Sequence, residues 1–149
     1  MTKTGLFTHV IDALETYLNA QYNSPTATVL IFQGSKTIGD MITGLPKAIS
    51  LNITNWQQDP NGMNGFWVVE VNVIYMHYNP SATDAYDIIS EAEAIIDKIE
   101  THLHSQYNTS PNEYDGRNVA GKVWSITDES KNFLYGCEMT FKINLAEVT

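Results

Sequence analysis

The sequence predicts an α+β fold in which a mostly antiparallel sheet, built from two hairpins, packs against two amphipathic helices. Two long stretches, residues 65–78 and 132–148, carry an apolar side chain at every second position. This is the period of a strand with one buried face. Between them, residues 82–104 repeat apolar side chains at steps of three and four, as an amphipathic helix does. The predicted order is α-β-β-β-α-β-β, in a single domain spanning residues 1–149.

The N-terminal third is predicted to contain one helix and one short strand. Residues 6–22 form a second apolar stripe with helical spacing, and Thr4 is a suitable N-cap. Residues 27–32 favour a short strand. Residues 33–46 contain three glycines without a packed stripe, so we expect a long connection there.

The two hairpins follow from alternation and turn chemistry. Residues 47–57 alternate between apolar and polar side chains, and an Asp-Pro-Asn-Gly turn separates them from the strand at 65–78. Residues 105–118 are rich in Asn, Ser, Pro and Gly, so we expect a polar loop. The second hairpin is then predicted to pair residues 119–127 with residues 132–148.

Charge and hydropathy exclude some classes of protein. The 149 residues include 17 Asp and Glu against 8 Lys and Arg, which gives a formal net charge of −9. A general nucleic-acid binder needs a basic patch, and the sequence shows no cluster of Lys or Arg. No apolar run approaches the ~20 residues of a membrane span, and the N-terminus lacks a signal-peptide core. We therefore expect a soluble protein that stays where it is made.

No motif for catalysis or for a cofactor is complete. Ser35 precedes Lys36 where a phosphate-binding loop requires glycine. Asp59 and Glu70 fit the ends of a calcium loop, but Met63 occupies a position that needs an oxygen ligand. No nucleophile-elbow pattern occurs. We expect no enzymatic activity, no cofactor and no metal.

The histidines, the cysteine and the acidic residues have structural interpretations. His102 and His104 point about 200° apart on a helix and cannot share a metal, whereas cations suit a helix C-terminus. The single Cys137 lies in an apolar row and is interpreted as a small buried hydrophobe. Six acidic residues flank the stripe of the second helix: Asp84, Asp87, Glu91, Glu93, Asp97 and Glu100. We interpret them as a solvated or subunit-facing border and not as a catalytic pair.

Four segments carry a resemblance in layout: residues 6–18, 67–75, 86–103 and 133–145. In a small acidic chain, this succession of helix, strand, helix and strand resembles the tail terminator proteins of long-tailed bacteriophages. The resemblance implies a virion protein, made in the host cytoplasm, that forms a homo-hexameric ring. Such a ring caps the tail tube, contacts the tail tube protein and the head or neck connector proteins, and lets DNA pass through its lumen without specific binding.

The resemblance also suggests which residues make contacts. Contact between subunits is expected on the flanks of the second helix and on the outer strand face, at Glu70, Asn72, Glu138 and Lys142. Docking to the tube or neck is expected from long loops with exposed side chains. The docking residues are Lys36, Met41, Ile42, Asp59, Met63, Tyr107, Tyr114 and Arg117.

Two alternatives remain open at this point. A head–tail adaptor or tail completion protein would share the fold and the absence of catalysis. A small-molecule binding module would need a concave apolar pocket with a few convergent polar groups.

Overall fold

A computed structural model of the chain describes residues 3–34, 45–58, 66–78, 87–108, 113–127 and 133–146. Within these ranges two helices and five strands follow each other along the chain. They are α1 (Lys3–Tyr22), β1 (Leu30–Gln33), β2 (Lys47–Gln58), β3 (Phe66–Tyr78), α2 (Ile88–Ser105), β4 (Glu113–Thr127) and β5 (Phe133–Ala146). The predicted α+β class and element order are confirmed.

The five strands form one sheet in the order β1-β2-β3-β5-β4. The two expected antiparallel pairs, β2 with β3 and β4 with β5, are both present. β5 also pairs antiparallel with β3, which joins the two pairs into one sheet. β1 pairs in parallel with β2 and forms one edge. β4 forms the other edge.

Both helices pack on one face of the sheet, which we call the helix face. The apolar rows of β3 and β5 lie beneath them. Buried row members are Val69, Val71, Val73, Tyr75, Cys137, Met139, Phe141, Ile143 and Leu145. They form one cluster with the apolar stripes of α1 and α2. Burying each large apolar side chain contributes roughly 1.5–3 kcal/mol, so this cluster is the main favourable contribution to folding.

Two members of the predicted apolar rows are exposed, and others, such as Trp67, Ile96 and Tyr135, are half-buried. Phe133 begins β5 with 45% of its surface exposed, and Ile89 is 50% exposed on the first turn of α2. Both lie at the start of their elements, where the row runs past the packed layer. The expectation that they belong to the core is wrong.

Three predicted boundaries also differ from the structure. α1 begins at Lys3, so Thr4 lies inside the helix and is not its N-cap. α2 begins at Ile88, because Asp87 is extended and its side chain accepts hydrogen bonds from the backbone N–H groups of Ile89 and Ser90. The predicted helical residues 82–86 lie outside the described ranges. β4 begins at Glu113, so the second part of the expected polar loop is strand.

Candidate functional site

The edge strand β4 has two halves, which differ in their hydrogen bonds and packing to groups outside the sheet. We call residues 113–118 the covered half and residues 119–127 the bare half. A β-bulge between Asn118 and Ala120 separates them. The extra residue of a bulge shifts the alternation of side chains between the two faces. Even-numbered residues therefore face the helices before the bulge, and odd-numbered residues face them after it.

Side chains and loop atoms cap the outer backbone edge of the covered half. The N–H of Tyr114 donates to the carbonyl oxygen of Gln106 at 3.4 Å. The N–H of Asn118 donates to the carboxylate of Glu100 at 2.9 Å. The carboxylate of Asp115 accepts from the N–H of Gly116 at 2.9 Å. Because these N–H groups already have acceptors, the covered half offers few free donors to a partner strand.

The covered half is also packed tightly under α2. A Cβ atom at Gly116 would lie 2.9 Å from both Cγ1 of Ile143 and the carbonyl oxygen of Lys142, and 3.1 Å from Cδ1 of Leu103. These distances leave no room for a side chain. Glycine at this position lets the strand approach the helix and its neighbouring strand.

Three rings from three elements pack together at this point. The buried His102 of α2 stacks on Tyr17 of α1, with ring centroids 4.7 Å apart. A hydrogen bond of 3.3 Å joins Nε2 of His102 and the hydroxyl of Tyr114. Burial lowers the pKa of His102 below 6.5 and raises the pKa of Tyr114 to about 12. His102 is therefore neutral at pH 7, and its interpretation as a cation at the helix end is wrong.

The bare half lacks such caps. In the described part of the chain, one side-chain hydrogen bond reaches its backbone, from the Asn118 amide to the carbonyl oxygen of Ala120 beside the bulge, and none from outside the sheet reaches residues 121–127. Val119 is 41% exposed, and Val123 and Ile126 are each 51% exposed. A strand edge with unpaired N–H and C=O groups and apolar side chains is a template for another strand.

A groove of about 310 Å³ lies between the bare half and the first turns of α2. Its lining is mainly apolar and includes Ile89, Ala92, Ile96, Val123 and Met139. Exposed Ile89 and Val123 stand on its two sides. The groove therefore extends the apolar surface of the bare half onto the helix.

On the opposite face of the sheet, Trp124 covers part of the neighbouring strand. A Cβ atom at Gly136 would overlap the Trp124 ring, so the ring lies across the backbone of β5. A cavity of about 160 Å³ lies between Trp124 and the side chains of Phe32, Ile74 and Met76. The bare half thus presents apolar surface on both of its faces.

The four predicted subunit-contact residues all lie on this opposite face, on adjacent strands. Glu70 is directly opposite Lys142, and Glu138 is opposite Ile74, two positions along β3 from Asn72. The carboxylate of Glu138 pairs with Lys122 at 3.4 Å. The structure brings the four residues onto one face, and their role in subunit contact stays a prediction.

The predicted docking residues have different outcomes. Lys36, Met41, Ile42, Asp59 and Met63 lie outside the described residues. Tyr107 is 65% exposed just after α2, and Arg117 is exposed on β4. Tyr114 is only 2% exposed, so its prediction as an exposed docking residue is wrong. It belongs to a strand that continues under α2, and not to a loop.

A second cavity, of about 510 Å³, lies beside the covered half. Arg117 and Lys142 line it and are directly opposite each other in the register of β4 and β5. His104 and Asp115 also line it and lie 3.6 Å apart. This cavity collects positive charge in a chain that is acidic overall.

The structure also bears on the cysteine, on metal binding and on membrane spans. Cys137 is buried, and burial raises its pKa to about 11, which confirms its interpretation as a small buried hydrophobe. Across the described ranges, no group of three His, Cys, Asp or Glu side chains is placed to hold a metal ion. Neither α1 nor α2 is long and apolar enough to cross a lipid bilayer.

Comparison with known proteins does not indicate a function. No family model matches the sequence, and no curated protein matches it. The observations that bear on function are therefore the bare half of β4, the two cavities beside β4 and the layout of the elements.

Proposed function

We propose that this protein is a structural subunit of a bacteriophage tail, similar to a tail terminator, which forms a ring that caps the tail tube and joins it to the head or neck. The bare half of β4 is the observation that carries the assembly role. The layout resemblance supplies the particular assembly. The role needs no chemical step, because a cap works by shape and by contacts between subunits.

The physical argument starts from unpaired backbone groups. Exposed N–H and C=O groups on a long edge strand bind an added strand through main-chain hydrogen bonds, while neighbouring pockets select its side chains. In this protein the groove beside Val123 and Ile89 is such a pocket. The occupant that we propose is a strand of a tail tube subunit.

The two edges of the sheet support a ring-type contact. β4 spans Glu113–Thr127, whereas β1 at the other edge spans Leu30–Gln33 and is parallel to its neighbour. A ring needs contacts between different surfaces of successive subunits, and two edges so unlike each other are different surfaces. Contacts of this kind close into rings when the rotation between subunits allows it.

The charge of the chain agrees with a DNA conduit. A formal net charge of −9 repels phosphate, so DNA passing through a lumen lined by such subunits would slide without sticking.

The experiment is a capping assay with the tail tube protein encoded in the same genome. Tubes are polymerised with and without this protein, and their lengths and ends are measured by negative-stain electron microscopy. We expect shorter tubes with a ring at one end. Tubes of unchanged length with bare ends would contradict the proposal.

A pair of variants ties the result to the bare half. Val123→Asp with Ile126→Asp places charges on two half-exposed positions and should abolish capping, because a buried unpaired carboxylate is costly. Thr16→Asp with Ala20→Asp adds the same two charges on the exposed side of α1, and this matched control should still cap tubes. Circular dichroism checks that both variants are folded.

A further inference from the structure

Two cations, one on the covered half of β4 and one on β5, lie in an unusual arrangement. Arg117 and Lys142 are exposed and directly opposite each other on neighbouring strands. Like charges in this arrangement destabilise a sheet. Among the described residues, neither cation has a carboxylate within 4 Å, although Lys47 and Lys122 each have one.

The nearest acids form no close ion pair with these two cations. Glu70 is opposite Lys142 in the strand register, and its carboxylate accepts a hydrogen bond from Asn55 at 3.3 Å. Asp115, in the same cavity, lies 3.6 Å from His104. Among the described residues neither acid is within ion-pair distance of Arg117 or Lys142, so an anion from outside the subunit can approach both cations.

A matching pair of acids lies elsewhere on the same chain. Glu93 and Asp97 are exposed on α2, four residues apart, and neither has an ion-pair partner among the described residues. Side chains at this spacing have Cβ atoms about 5–6 Å apart. Directly opposed strand residues have Cβ atoms about 4.5–5.5 Å apart. Two cations and two anions are thus presented at nearly the same spacing.

The fold keeps these two pairs apart within one subunit. Glu93 is the exposed acidic residue of α2 in the groove lining on the helix face, whereas the apolar residues Ile89 and Val123 are those that we assign to the tube strand. Arg117 and Lys142 project from the opposite face, beside the covered half. Within the described residues of one subunit, these acids form no ion pair with these cations. The acids of a second copy are free to approach them.

We propose that Arg117 and Lys142 of one copy bind Glu93 and Asp97 of a second copy of this chain in a head-to-tail contact. The inference rests on the proposed assembly function, since a ring requires a contact between different surfaces of successive subunits. The proposal gives Lys142, which belongs to the predicted subunit-contact surface, a specific partner. That partner is the acidic flank of α2 in the next subunit.

The test is a charge reversal in the full chain. Self-association is measured by sedimentation velocity at about 50 mM salt, over a hundredfold range of protein concentration. The wild type should self-associate, and the association should weaken as salt is added. Arg117→Glu with Lys142→Glu should weaken it by at least about tenfold, and so should Glu93→Lys with Asp97→Lys. An equimolar mixture of the two variants should restore association, since each variant then meets its complement in the other.

A control separates this contact from a general effect of charge. Thr16→Glu, Ala20→Glu, Gln21→Glu and Thr26→Glu together change the net charge by the same amount as the Arg117 and Lys142 reversal. They lie at exposed positions on and just after α1, away from both proposed surfaces, and should leave self-association unchanged. A monomeric wild type at every concentration, or a mixture that stays dissociated, overturns the inference. Inorganic phosphate is the probe for a free anion. If the wild type is monomeric and phosphate raises its melting temperature, and if reversal of Arg117 and Lys142 removes that rise, the cavity binds small anions. This result also overturns the inference.

The capping assay and the self-association test can fail independently of each other. If the wild type caps tubes but does not self-associate through these charges, the function stands and this contact is wrong. If it self-associates as described but leaves tubes bare, the contact stands and the tail role is wrong.

Discussion

The covered and bare halves of β4 belong to one strand and pair with the same neighbour, yet only one of them is integrated with the helices. In the covered half, Glu100 and Gln106 accept hydrogen bonds from outward-pointing N–H groups, and Tyr114 is buried. In the bare half, the outward backbone has no such acceptor among the described residues, and the apolar side chains are half exposed. The edge of the covered half is therefore closed by groups from α2 and the residue after it, together with the side chain of Asp115, and the bare half has no equivalent groups among the described residues.

The bulge explains why the change is abrupt. The side-chain amide of Asn118 donates to the carbonyl oxygens of Ala120 and Thr140, at 3.0 and 3.1 Å, and so fixes the irregular backbone. Beyond this point the alternation shifts, and Val123 faces the groove where an unbroken register would have placed it on the opposite face.

The largest expected difference between the halves comes from truncating one apolar side chain in each. Tyr114→Ala removes a buried ring and should lower the free energy of unfolding by about 3–5 kcal/mol. Val123→Ala, at a half-exposed position, should change it by less than about 1 kcal/mol. Urea denaturation measures both. Equal losses would show that the bare half is packed as tightly as the covered half.

The two glycines of β4 give a smaller contrast of the same kind. A Cβ at Gly116 meets both the backbone and the core at 2.9 Å, so Gly116→Ala should cost about 1–3 kcal/mol through overpacking. At Gly121 the nearest atom is the carbonyl oxygen of Glu138 at 3.3 Å, and Gly121→Ala should cost less than about 1 kcal/mol. Thermal melting ranks the two variants. A Gly121→Ala variant that is the less stable of the two would refute the contrast.

The smallest expected effect is on pH dependence, and it belongs to the covered half. Burial lowers the pKa of His102, and burial together with Lys47 lowers the pKa of His77, so below pH 6.5 the unfolded chain binds protons that the folded chain does not. Stability should therefore fall as the pH drops below 6.5, by at most about 1.4 kcal/mol per pH unit for each histidine. His102→Gln should reduce this slope and leave the contribution of His77. Urea titrations at pH 5.5–7.5 measure it, and an unchanged slope would exclude His102 as a source.

Much of the fold could be predicted because its signals are local. The alternating rows of β3 and β5 and the stripe of α2 each repeat over many residues, and parity alone placed Glu70, Asn72, Glu138 and Lys142 on one face. The position of β5 between β3 and β4, and the parallel pairing of β1 with β2, depend on contacts between distant segments. No short pattern encodes them.

The candidate site was harder to predict because its signals are irregular. The covered half contains Asp115, Gly116 and Asn118, which individually favour loops, so Tyr114 was expected on the surface. Residues 119–127 are predicted as a strand, and the structure confirms it. The faces of Val123, Trp124 and Ile126 could not be predicted, because the bulge between Asn118 and Ala120 shifts the alternation within the strand.

Hydrogen exchange along β4, measured with and without assembled tail tubes, tests whether the bare half is the surface that joins the protein to the tail. In the free protein, outward-pointing amides should exchange slowly in the covered half and fast in the bare half. Binding to the tube should slow exchange in the bare half by at least about tenfold and leave the covered half unchanged. A bare half that exchanges equally fast in the free and tube-bound protein would contradict the claim that this strand edge is where the protein joins its assembly.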